Sequence, residues 1–180
     1  NLQNYGYGIF LQALNYFNSG NYTIVNNTVL NVTNDGIYLN GFGKYVYNNK
    51  ISCYKNSSQV IGRSGIHLSG SSKIGIVDGN LILGGCDMGL LIGYNSGFVN
   101  ITNNFIYNNN QGIKIDGSDE VRVVRNIISN NSNNIDNHNV AIRLVSIREQ
   151  RFATNVYIAN NELNELTSTG ILIQHYRNVT

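Results

Sequence analysis

The sequence has no proline and no tryptophan, and its 180 residues include only two cysteines and one methionine. Ordinary chains carry about 5% proline, so the turns of this one must be made by residues that reach tight backbone geometry without a ring. Charge is scarce as well. Residues 1–34 have no charged side chain, and 12 lysines and arginines are balanced by 10 acidic residues. That balance excludes the basic field on which nucleic-acid binding depends. No hydrophobic run approaches the ~20 residues of a membrane-spanning helix, which excludes a span of that kind. Neither an initiating methionine nor a signal-peptide pattern is present, which suits a processed or excised segment. Arginine is concentrated after position 120, so an electrostatic site is expected in the second half.

What is abundant is asparagine, 33 residues of it, with 19 glycines and 12 tyrosines. Asn and Gly tolerate left-handed backbone that other residues resist, so their excess points to many similar tight corners. A hydrophobic content of 42% at regular spacing argues against disorder. Cys53 and Cys86 lie about one repeat apart, and both a disulfide between neighbouring coils and two stacked free thiols fit that spacing. N-x-[ST] sequons begin at Asn21, Asn26, Asn31, Asn56, Asn100, Asn130 and Asn178. Chance placement of these residue types gives roughly four, and the excess suggests an exported glycoprotein.

Internal repetition dominates the chain. A small residue followed by aliphatic, variable and aliphatic positions recurs as Gly8-Ile9-Phe10-Leu11, Gly36-Ile37-Tyr38-Leu39, Gly65-Ile66-His67-Leu68, Gly89-Leu90-Leu91-Ile92, Gly112-Ile113-Lys114-Ile115, Ala141-Ile142-Arg143-Leu144 and Gly170-Ile171-Leu172-Ile173. The steps are 28, 29, 24, 23, 29 and 29 residues. Between them lies aliphatic-x-x-Asn-x-aliphatic, with its asparagines at Asn27, Asn49, Asn80, Asn104, Asn126 and Asn161. Period-2 alternation over four to six residues means short strands with one buried face, and strand, corner, strand at a near-constant repeat means that coils stack. Leucine-rich repeats need a denser leucine pattern, and propeller blades need about 40 residues each. The motif asparagines are expected to adopt left-handed geometry and to bond one another as a ladder up one corner.

These two motifs, G-I-x-L with V-x-x-N-x-I, are similar to the repeats of pectin-lyase-like right-handed β-helix proteins. The resemblance covers nearly all of residues 1–180 and implies an all-β, right-handed parallel β-helix as a single domain, with about 6–7 coils of 22–30 residues. The repeat already runs at Gly8 and still runs at Thr180 without a capping helix. The expectation is therefore a segment of a longer chain, with flanking domains or self-association covering the coil ends. The superfamily includes pectate lyases, polygalacturonases, sugar epimerases, phage tailspikes and non-enzymatic surface proteins, so the resemblance implies a fold and leaves the activity open.

The variable motif position and the residue after the motif should face outward, on the side where the resembling enzymes bind sugar chains. Its polar centre is His67, Lys114, Asp116 and Arg143, with Tyr38 and Tyr94 as candidate sugar-stacking rings. Counting onward from Gly112 and Ala141 stacks Glu120 on Glu149, a second candidate carboxylate pair, with Asp119 on Arg148 and Arg122 on Arg151. A surface salt-bridge network is the favoured reading of that group.

Polygalacturonase signatures are absent, and Gly112-Ile113-Lys114 is only a partial echo of one. A calcium-dependent lyase needs several clustered carboxylates, whereas this face offers Asp116. His67, His138 and His175 fall on different coils, so no metal site and no cofactor are expected. The favoured function is a non-catalytic extracellular, cell-surface or virion-surface β-helix, acting as a rigid scaffold, adhesive or filament component, with sugar binding without turnover as a further option. The alternative is a polysaccharide hydrolase or lyase using the residues above.

Overall fold

The computed structural model describes residues 6–12, 21–41, 43–54, 63–70, 74–93, 97–131, 140–145, 153–164, 169–174 and 176–180. Six coils contribute three short strands each and the last contributes two, and like strands of successive coils pair in parallel into sheets of seven, seven and six strands. The first sheet stacks Ile9–Gln12, Ile37–Asn40, Ser64–Ser69, Met88–Ile92, Gln111–Asp116, Val140–Val145 and Thr169–Gln174. The second stacks Tyr22–Val25, Lys44–Tyr47, Gly75–Asp78, Val99–Thr102, Val121–Val124, Ala153–Ala159 and Tyr176–Val179. The third stacks Thr28–Val32, Lys50–Cys53, Leu81–Leu83, Phe105–Tyr107, Ile127–Ser129 and Glu162–Asn164. This is the expected parallel β-helix, and no helix occurs among the described residues.

The core follows from alternation. Ile37, Ile66, Leu90, Ile113 and Ile142 lie over one another and are fully buried, as are Leu39, Leu68, Ile92, Ile115 and Leu144 beside them. Burying one such side chain contributes about 1.5–3 kcal/mol, so these stacks hold the coils together. The small residue that opens each motif is required by the packing. A Cβ on Gly36 would come 2.4 Å from Ile51 Cγ2 and 2.6 Å from the Gly65 carbonyl oxygen.

The corner between the second and third sheets takes two residues in each of six coils. Its second residue builds a ladder. The backbone N–H of Asn27, Asn49, Asn80, Asn104 and Asn126 donates to the side-chain Oδ1 of the asparagine one coil on, at 2.9–3.0 Å. Each Nδ2 also donates to that next Oδ1, at 2.9–3.1 Å. From Asn49 onward Nδ2 reaches back to a carbonyl of the preceding coil as well, as in Asn80 to Val46.

The expectation that the ladder residues themselves are left-handed is corrected. Positive φ falls one residue earlier, at Asn26, Asn48, Gly79, Asn103, Arg125 and Asn160, with values of 53–64°. The reason is division of labour in a two-residue corner. The first residue makes the left-handed bend, which leaves the second to aim its amide along the stack.

The corner between the third and first sheets holds a mixed column. Val32 pairs with Cys53, and a disulfide joins Cys53 to Cys86 with Cα atoms 5.0 Å apart. The Cys86 N–H then donates to Asn109 Oδ1 at 3.3 Å, and the Asn109 N–H donates to Asn131 Oδ1 at 2.9 Å. Asn109 and Asn131 are buried, a second short amide ladder that the motif search did not find.

Lys44 is the unexpected core residue. It occupies an inward position of the second sheet where its stacked neighbours are Tyr22 and Gly75, and it is fully buried. Its Nζ donates to the Ser69 carbonyl at 2.5 Å. Burial lowers its amine from 10.5 to about 7, because the ammonium form is expensive to desolvate.

Candidate functional site

In the first sheet the variable motif positions point outward while their neighbours from Ile37 to Leu144 enter the core. Register therefore sets Phe10, Tyr38, His67, Leu91, Lys114, Arg143 and Leu172 in one column. Gln12, Asn40 and Ser69 begin the flanking column, and Asp116, Val145 and Gln174 continue it. Neighbouring rungs of a parallel sheet lie about 4.8 Å apart, so side chains in a column touch.

The column changes character along its length. At one end the rings are in contact: Tyr7 to Phe10 with centroids 4.7 Å apart, Phe10 stacked on Tyr38 at 4.9 Å, and Tyr38 edge-on to His67 at 4.9 Å. At the other end Lys114 and Arg143 lie side by side. Asp116 Oδ2 lies 3.5 Å from Lys114 Nζ, so its carboxylate is shared with that ammonium group. Arg143 Nε is buried and finds no acceptor among the described residues. Lys114, Asp116 and Arg143 are thus brought together, with His67 separated from Lys114 by the Leu91 rung.

His67 has a partner that the sequence reading missed. Asp35, buried in the turn before the second motif, accepts the Ser64 N–H at 2.7 Å through Oδ1 and places Oδ2 3.1 Å from His67 Nδ1. The imidazole is thereby oriented, with Nε2 directed toward Gly93, where a Cβ would lie 3.4 Å from it. Asp35 immediately precedes the motif glycine, so a search that gave roles only to the variable position and its successor passed over it. Its one available signal was a carboxylate in a turn facing the next coil's strand.

Of the candidate pair Glu120 and Glu149, only Glu120 falls among the described residues. Arg122 pairs with Tyr157, which puts Asn155 beside Glu120. The later coil spends more residues between its first and second strands. Five positions separate Asp116 from Val121 but eleven separate Val145 from Val156, and the asparagine ladder resets the register after them. Glu120 belongs to the outer face of the second sheet, where it borders a cleft. Glu149, Arg148, Arg151, Tyr94, His138, His175 and the sequon residue Asn56 lie outside the described residues. Of the other sequon asparagines, Asn21, Asn26, Asn31, Asn100 and Asn178 are exposed and Asn130 is half-buried. Among the described residues no group of three or more His, Cys, Asp or Glu is placed to hold a metal ion.

Comparison with known proteins agrees with the coil geometry. A family model described as a right-handed beta helix region matches residues 54–180. No curated protein and no solved structure matches the chain.

Proposed function

The chain belongs to the right-handed β-helix family, and from that premise we propose that it is a non-catalytic exported scaffold that binds an extended acidic glycan along the outer face of its first sheet. The observation that carries this reading is the outward column itself, ring against ring from Tyr7 to His67 and then cationic at Lys114 and Arg143. Aromatic faces suit the apolar faces of sugar rings, and guanidinium and ammonium groups suit uronate carboxylates. The carboxylates of this face are already engaged: Asp35 with Ser64 and His67, and Asp116 with Lys114. A glycosidase would need two carboxylates free to act as acid and as base or nucleophile. Export is supported by the Cys53–Cys86 bond and by the exposed sequons. The stacked rod suits an adhesive or filament role at a cell or virion surface.

Calorimetric titration with oligogalacturonate and with a neutral glucan tests this. The acidic oligomer is expected to bind, about tenfold more weakly in Arg143→Ala and in Tyr38→Ala, and progressively less as salt rises. Equal affinity for both glycans, or none for the acidic one, would reject the reading. A second reading, polysaccharide turnover, draws on one observation: a histidine oriented through Nδ1 by a buried carboxylate has the arrangement of a general base. Accumulating reducing ends or unsaturated products, abolished by His67→Ala, would establish that alternative in place of the scaffold.

A further inference from the structure

The second sheet carries a separate site on its outer face. Register places Phe98, Glu120 and Asn155 in one row of adjacent coils and Asn100, Arg122 and Tyr157 in the next outward row. Between them lies an open cleft of about 610 Å³, bordered by these six side chains, within the range of small-molecule sites. We propose that this cleft is a saccharide-binding site that takes a neutral pyranose, independently of any glycan on the first sheet.

Backbone strain is the first support. Among the described residues, the only ones other than Asn and Gly at positive φ are Phe98, Glu120 and Arg125, at 51°, 55° and 55°. Two of these three border the cleft. Left-handed backbone disfavours a residue with a bulky side chain by roughly 1–2 kcal/mol, while Asn adopts it readily. The same row continues with Asn155 at 60° and Asn178 at 53°, so asparagine takes this backbone geometry elsewhere in the row. Phe98 and Glu120 sit there against the backbone's preference, and strain of this kind gathers where side chains have a task.

The second support is the chemistry of the lining. Phe98 is 59% exposed and Tyr157 40% exposed, so both rings reach the solvent side of the cleft. The Arg122 guanidinium lies over the Tyr157 ring, 5.2 Å from its centroid, which holds its donors in place. Among the described residues neither the Glu120 carboxylate nor the Arg122 guanidinium has a hydrogen-bond or ion-pair partner. Two ring faces, two amides, one acceptor pair and one planar donor group match a sugar ring, which is apolar on its C–H faces and ringed by hydroxyls. One carboxylate and one guanidinium leave the cleft without net charge, which selects a neutral sugar over a uronate or an amino sugar.

The test uses the full chain from a bacterial host without N-glycosylation, so that the sequon at Asn100 carries no sugar of its own. Methyl glycosides of glucose, galactose, mannose, N-acetylglucosamine and glucuronate are titrated singly and followed by NMR. At least one neutral glycoside is expected to bind in the millimolar range, shifting the resonances of Phe98, Asn100, Arg122 and Tyr157. Tyr157→Ala should weaken it about tenfold, and Tyr38→Ala should leave it unchanged. Glu120→Asn supplies a readout that misfolding cannot imitate, since it should raise the thermal midpoint by relieving the left-handed strain while weakening binding. Absence of any neutral ligand, preference for glucuronate, or affinity untouched by Tyr157→Ala or Glu120→Asn would overturn the proposal.

Discussion

Between the second and third sheets the corner is two residues long in all six coils, whereas between the first and second sheets it ranges from one residue to nine. The short corner repeats one solution, a left-handed residue followed by a ladder asparagine. The other varies in length from coil to coil, and both candidate binding surfaces adjoin it. The first-sheet column ends there at Asp116 and Val145, and the cleft begins there at Phe98 and Glu120. A ladder that bonds each coil to the next through N–H and amide groups fixes the register, so insertion elsewhere does not propagate. The longer interval between Val145 and Val156 illustrates this, because Asn161 restores alignment with Asn126.

Breaking the uniform corner should have the largest effect. Asn80→Leu removes the acceptor for the Asn49 N–H and amide, and strips donors from the Val46 and Asp78 carbonyls. With each buried group left unsatisfied at about 1–3 kcal/mol, the loss is expected to be on the order of 4 kcal/mol. Urea unfolding measures it, and a loss under about 1 kcal/mol would mean that the ladder does not hold the register.

The mixed corner comes next. Replacing both Cys53 and Cys86 by alanine opens a link across 33 residues of sequence and should lower stability by about 3–4 kcal/mol. The parent in reductant should lose a similar amount. A smaller loss than at Asn80 is the order expected, because Asn109 and Asn131 still hold that corner below the bond; the reverse order would undo the contrast between the corners.

The smallest effect is conditional on pH. Lys44 caps the Ser69 carbonyl at the variable corner with an amine that burial lowers to about 7, against 10.5 for the free side chain. The unfolded chain therefore binds the extra proton between those two values, and stability should rise as pH climbs from about 7 toward 10.5. Below about 7 both states are protonated and the penalty is at its full size. Lys44→Met should accordingly be more stable than the parent at pH 6, with the gap closing by pH 10; thermal midpoints at the two values measure it, and a constant gap would show that Lys44 does not titrate in the fold.

Much of the fold was legible because strand period and coil period both leave direct marks on a sequence. The stacked Ile and Leu of the motif and the six ladder asparagines lie in the register their spacing implies. The left-handed residue was misplaced by one because Asn occupies both corner positions in four of the six coils, so composition cannot tell the bend from the rung. The candidate site was legible only in part. Lys114, Asp116 and Arg143 share the motif that defines the register, whereas Asp35, Phe98 and Tyr157 lie outside it or across a turn of irregular length.

The sequence by itself determined the coil, since alternation and a recurring small residue leave one way to bury the aliphatic side chains. It also determined which side chains of the first sheet face outward. Tertiary structure alone decided which carboxylate meets His67, which residue stands beside Glu120, and that Lys44 points into the core. Those depend on how many residues each corner absorbs, a length that the hydrophobic pattern does not encode because corner residues are not required to alternate.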